Sequence, residues 1–157
     1  MMTQPRKIKV LFICTGNICR SPMAEFIFKH LVDQAGLADR FTIASAATSS
    51  WEIGEPVHPG TQAVLKKNQV PVDRHKQARQ AGPDDYLAND YVLAMDSYNL
   101  RYMPNMDKIC RLTDFASGRW PKDVPDPYYT GDFEYVYDLI TDACTGLLEH
   151  IRKENGW

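Results

Sequence analysis

The chain has no apolar run near the ~18–20 residues that a membrane-spanning helix needs, so no membrane span is expected. The segment before Val10 is basic, yet Leu11 to Ile13 is far too short for the apolar core of a secretory signal, which points to the cytoplasm. Charge of one sign is not in excess. Lys and Arg number 18 against 20 Asp and Glu, a net −2, so no bulk positive field is available for nucleic acid or an anionic membrane. Cysteine is scarce: Cys14, Cys19, Cys110 and Cys144 form no C-x-x-C pair, and nearby histidines complete no zinc pattern. A disulfide framework is not expected in a cytosolic chain of this size. Repeats, low-complexity tracts and linkers are also missing, which suggests one domain over residues 1–157.

What is present concentrates in one stretch, Val10-Leu11-Phe12-Ile13-Cys14-Thr15-Gly16-Asn17-Ile18-Cys19-Arg20-Ser21-Pro22. Its apolar start is the pattern of a strand buried on both faces. Gly16 and Asn17 tolerate positive φ and break the run. Ser21-Pro22 reads as a helix start, with Ser21 as N-cap and Pro22 at the first helical position. A tight loop followed by a helix N-terminus gathers N–H groups and partial positive charge around an anion. Arg20 can grip two oxygens of that anion bidentately. A thiol in the same field gives up its proton more readily and becomes a thiolate nucleophile. The five residues between Cys14 and Arg20 therefore suffice to arc around a tetrahedral phosphate, with the sulfur beneath the phosphorus.

The remaining pattern alternates strands and helices. Gly36 reads as the cap of the first helix. Strands are expected at Arg40–Ala46, Tyr91–Met95 and Lys108–Leu112. Helices are expected at Pro59–Asn68, Pro83–Leu87, Ser97–Met103 and Phe133–Lys153, with long loops at Thr48–Pro56 and Phe115–Thr130. In the last helix Val136, Ile140, Cys144, Leu147 and Ile151 fall at three- and four-residue steps. Such alternation implies an α/β fold with an open parallel sheet, and ligand beyond the carboxyl ends of its strands. Cys14 ends the first strand and Ser45 lies near the end of the second.

Cys14 to Ser21, continued by Pro22-Met23-Ala24-Glu25 and joined by Ser45-Ala46-Ala47-Thr48-Ser49 and Asp126-Pro127-Tyr128-Tyr129, resembles the low-molecular-weight protein tyrosine phosphatases over essentially the whole chain. The resemblance implies a four-stranded parallel sheet flanked by helices, with the phosphate-binding loop between strand 1 and helix 1. It implies hydrolysis of aryl phosphate monoesters on tyrosine-phosphorylated proteins or peptides, with phosphate as product and neither cofactor nor metal. Cys14 would attack phosphorus. The amides of Thr15, Gly16, Asn17, Ile18 and Cys19, with Arg20, would hold the equatorial oxygens.

Of the 20 carboxylates, the residues alone select none as general acid; the resemblance selects Asp126, which prolines on both sides stiffen. In the family the loop asparagine, here Asn17, is held by a serine and a histidine. These would be Ser45 and His75, although one residue too many separates His75 from Ala78-Arg79-Gln80. Ser21 would assist the sulfur as leaving group. Trp51, Tyr128 and Tyr129 would wall a slot deep enough to prefer phosphotyrosine to shorter phosphoserine. Cys19 is placed to trap an oxidised Cys14 as a disulfide. A thiol-coupled arsenate reductase has a similar loop but needs two further redox cysteines on a mobile segment, whereas Cys110 and Cys144 read as core.

Overall fold

The computed structural model describes residues 6–157. The first five residues, to which part of the basic lead-in belongs, lie outside the described residues. Strand β1 (Ile8–Cys14) is the spine, and Val10, Leu11, Phe12 and Ile13 have no exposed surface. Apolar side chains on both faces require cover on both faces. Val10 and Phe12 pack with helices α1 (Arg20–Gln34), α2 (Pro59–Lys67) and α6 (Phe133–Asn155); Leu11 and Ile13 pack with α3 (Pro83–Ala88) and the end of α4 (Ser97–Leu100). Every member of the expected α6 stripe, from Val136 to Ile151, is fully buried.

Strands β2 (Phe41–Ala47), β3 (Tyr91–Ala94) and β4 (Ile109–Arg111) join β1 in the parallel order β2-β1-β3-β4. The chain leaves β1 to one side to form β2, then returns to the other side for β3. The order therefore reverses beside β1, and the crevice of such a switch point opens at the strands' carboxyl ends. Cys14 sits there, in register with Ala47.

Three local departures from expectation have simple causes. Helix α1 starts at Arg20 with Cys19 at its cap, so Ser21 is not the N-cap. Gly36 falls one residue beyond the α1 cap at φ +73, where its N–H closes on Asp33 O at 3.0 Å and only a residue free of Cβ is unstrained. The stretch Phe115–Thr130 is not all loop: Pro127–Thr130 forms a one-turn helix, α5, which four residues are too few to announce by periodicity.

Candidate active site

The loop after β1 is built around sulfur. Cys14 Sγ accepts from the amides of Asn17 (3.3 Å) and Ser21 (3.4 Å), and the Ser21 hydroxyl lies 3.0 Å from it. The first amides of a helix lack intrahelical acceptors. Here the Cys14 sulfur takes one of them, while the cap residue Cys19 makes no side-chain bond to the helix. Asn17 holds φ +57, the left-handed turn that lets the loop close under the helix mouth.

Behind the loop runs a buried polar chain. Asn17 Nδ2 donates to Ser21 Oγ at 2.7 Å and Ser45 Oγ at 2.9 Å, while its Oδ1 accepts from the Arg79 amide at 3.2 Å. Ser45 Oγ in turn donates to Glu25 Oε1 at 2.6 Å. Glu25 is in turn paired with Lys29 (2.6 Å) and Lys76 (3.5 Å), and Lys76 Nζ also donates to the Ser45 carbonyl at 2.9 Å. Burial lowers the Lys76 pKa, and the charge of Glu25 opposes that shift. The expected partner His75 is exposed in a turn where its amide bonds Asp73, and its ring makes no hydrogen bond to Asn17. Two residues, Lys76 and Gln77, separate His75 from Ala78, and the extra one shifts which side chain faces Asn17. It turns Lys76 inward and leaves His75 outside.

Arg20 is 2% exposed and faces the same site. Nη1 donates to Asp96 Oδ2 at 2.6 Å and to the Val124 carbonyl at 2.9 Å, and Nη2 lies 3.5 Å from Asp126 Oδ2. Burial works against its charge, but Cys14, Asp126 and Asp96 outweigh burial and raise its pKa further. Asp126 caps α5, accepting from the Tyr128 amide through Oδ1, so its other oxygen is held toward Arg20. Asn99, fully buried, donates to Thr15 Oγ1 at 3.0 Å and ties the phosphate loop to α4.

These groups open into one slot of about 360 Å³. Cys14, Thr15, Gly16, Ile18, Cys19 and Arg20 line it from the loop; Trp51, Tyr98, Tyr128 and Tyr129 supply aromatic walls, and Glu52, Asp96 and Asp126 border it. Asn17, Ser21 and Ser45 lie behind it, buried. The His58 ring packs edge-on to Tyr128 at 6.0 Å and stacks on Phe133 at 5.1 Å, bracing that wall. Burial, with the charges of Asp126 and Cys14 behind it, raises the Cys19 thiol to about 12. Cys144 is wholly buried on α6 and Cys110 half-buried on β4, both with raised thiol pKa values through burial, which leaves the reductase reading without its redox pair. Among the described residues no cluster of His, Cys, Asp or Glu is arranged to hold a metal ion, and no helix is long and apolar enough to cross a membrane.

Asp96, Asn99, Glu25 and Lys76 were not legible as site residues. Asp96 carried a signal in its position just past the carboxyl end of β3, and Glu25 in closing the Pro22–Glu25 stretch of the family resemblance.

Comparison with known proteins agrees with this geometry. The family described as low molecular weight phosphotyrosine protein phosphatase matches residues 9–156. The low molecular weight protein-tyrosine-phosphatase YfkJ of Bacillus subtilis is 46% identical over 153 residues, covering 94% of this chain and 97% of its own. PtpA of Staphylococcus aureus, with the same description, is 40% identical over 152 residues, 94% of this chain and 96% of its own. The crystal structure of YfkJ superposes with a TM-score of 0.92 at 42% identity, covering 97% of this chain and 99% of that one. With a family match over residues 9–156, relatives at 40–46% identity and a fold that superposes on a solved relative, the chain belongs to the low molecular weight phosphotyrosine protein phosphatase family.

Proposed function

We propose that this protein hydrolyses phosphotyrosine in proteins or peptides, in the cytoplasm and without nucleic acid, through a phosphocysteine intermediate. The observation that carries the reading is convergence: two amides and a hydroxyl point at Cys14 Sγ within 3.0–3.4 Å while Arg20 faces the same slot. In the first step Cys14 sulfur attacks phosphorus, the S–P bond forms and the P–O bond to the tyrosine oxygen breaks. Asp126 donates the proton that the leaving oxygen takes up. In the second step water attacks phosphorus, Asp126 accepts its proton, the S–P bond breaks and phosphate leaves. Ser21 and the amides stabilise the departing thiolate. Arg20 and the loop amides carry the charge on the equatorial oxygens, the electrostatic task that a metal ion performs in other phosphatases.

The test is hydrolysis of p-nitrophenyl phosphate and of a phosphotyrosine peptide. Cys14→Ser is expected to abolish turnover. Asp126→Asn is expected to lower kcat by roughly 10²–10⁴. A phosphoserine peptide should be turned over poorly, since its shorter side chain does not bring phosphorus down to the sulfur between walls as deep as Trp51 and Tyr128. Undiminished turnover by Cys14→Ser ends this reading.

A further inference from the structure

The aromatic wall of the slot is shared with a second hollow. Trp51 and Tyr98 line the slot, and both also line a recess of about 240 Å³ beside it. Thr15 of the phosphate loop borders both spaces. Thr48 and Ser49, just past the end of β2, lie on the inner side of the recess, and Tyr102 contributes to its lining without reaching the slot.

The recess is tied to the phosphate loop. Ser49 donates twice to the Thr15 carbonyl, from its amide at 3.2 Å and its hydroxyl at 2.7 Å. Gln80 Nε2 donates to the Thr48 carbonyl at 3.1 Å, binding the neighbouring segment to the same floor. Whatever sits in the recess is therefore held in fixed register with whatever sits over Cys14.

Two features define what fits. No charged side chain lines the recess. Three large rings do, and they are far from covered: Trp51 is 71% exposed, Tyr102 59% and Tyr98 44%, with the two tyrosine rings 5.1 Å apart. Uncharged aromatic surface at the edge of a binding slot marks a place that a ligand covers. One or two residues of extended chain, roughly 3.3–3.6 Å each, are enough to pass an aromatic side chain's width.

Resting on the phosphatase reading, we propose that this recess is a subsite for a residue one or two positions from the phosphotyrosine of the substrate, and that it selects a large uncharged side chain, aromatic or aliphatic. An acidic or basic side chain entering it would lose water and meet only the neutral hydroxyl and amide groups of Thr48, Ser49, Ser50 and Gln80, with no opposite charge to offset the loss.

The experiment uses the intact protein and phosphotyrosine peptides in an alanine background, with Phe, Leu, Asp or Lys placed in turn at each of the two positions on either side. Covering about 60 Å² of apolar side chain corresponds to about a tenfold gain. Phe or Leu at one position is therefore expected to raise kcat/KM about tenfold over Ala, and Asp or Lys at that position is expected to give no gain. Tyr102→Ala is expected to erase the preference and leave turnover of p-nitrophenyl phosphate unchanged, because Tyr102 does not line the slot. Equal rates across the panel, or a preference that survives Tyr102→Ala, overturn the subsite alone. A wild type inert towards p-nitrophenyl phosphate overturns the phosphatase reading, and the subsite with it.

Discussion

Lys76 lies 3.5 Å from Glu25 in a largely buried ion pair behind the phosphate loop, where sequence reasoning placed a histidine. Glu25 holds the Ser45 hydroxyl, and Ser45 holds Asn17, so the pair acts on the loop through two hydrogen bonds. Breaking a buried pair by deleting one partner leaves the other charge uncompensated, typically at a cost of about 3–5 kcal/mol. Glu25→Ala strands both Lys76 and the Ser45 hydroxyl and is expected to lower the melting temperature by roughly 6–20 °C. Lys76→Met leaves Glu25 with Lys29 at 2.6 Å and should cost visibly less. Both are expected to reduce kcat by at least roughly tenfold, because small displacements of an attacking group are expensive in rate. Thermal melts and p-nitrophenyl phosphate kinetics check the ranking; a Lys76→Met protein with unchanged kcat and melting temperature removes the pair from any role in the loop.

The contrast between His75 and Lys76 shows where the sequence stops being readable. The phosphate loop was legible because its demands are local: a strand end, two residues tolerant of positive φ, an arginine and a helix, all within Val10 to Pro22. The α6 stripe was legible because burial on a helix repeats at a fixed step. The buried chain behind the loop has neither property. Asn17 meets Arg79 across 62 positions and Ser45 meets Lys76 across 31, and residues 70–81 have no period to say which side chain turns inward. A shift of one residue there changes the partner while leaving the composition of the stretch the same.

Cys19 carries a pH signature. Its thiol is raised to about 12, so only a small fraction is thiolate near neutrality, and that fraction grows about tenfold per pH unit. We expect hydrogen peroxide to oxidise Cys14 to a sulfenic acid, which Cys19 then condenses with to form a disulfide and water. Since Cys19 attacks as the thiolate, closure should accelerate about tenfold per unit between about pH 7 and 9. Mass spectrometry of quenched samples follows it. Cys19→Ser should lose recovery of activity by dithiothreitol after prolonged peroxide; full recovery in that variant would show that Cys19 does not protect the nucleophile.

Gly146 gives a prediction of opposite sign to the usual rule. In an exposed helix interior, Gly→Ala stabilises by about 1 kcal/mol. Gly146 lies inside α6, but a Cβ built there would stand 1.8 Å from the carbonyl oxygen of Phe115, in the 3-10 turn Leu112–Phe115 that follows β4. The obstacle is backbone, so no rotamer change relieves it, and either the turn or the helix must move. Overpacking of this kind costs about 1–3 kcal/mol, and a contact of 1.8 Å with backbone puts it toward the upper end, above the propensity gain. Net of that gain, Gly146→Ala is therefore expected to lower the melting temperature by up to roughly 8 °C. Neither Gly146 nor Phe115 lines the slot, so kcat and KM below the transition should stay at wild-type values. A stabilised Gly146→Ala protein would mean that α6 and the Phe115 turn do not approach each other as closely as the fold requires.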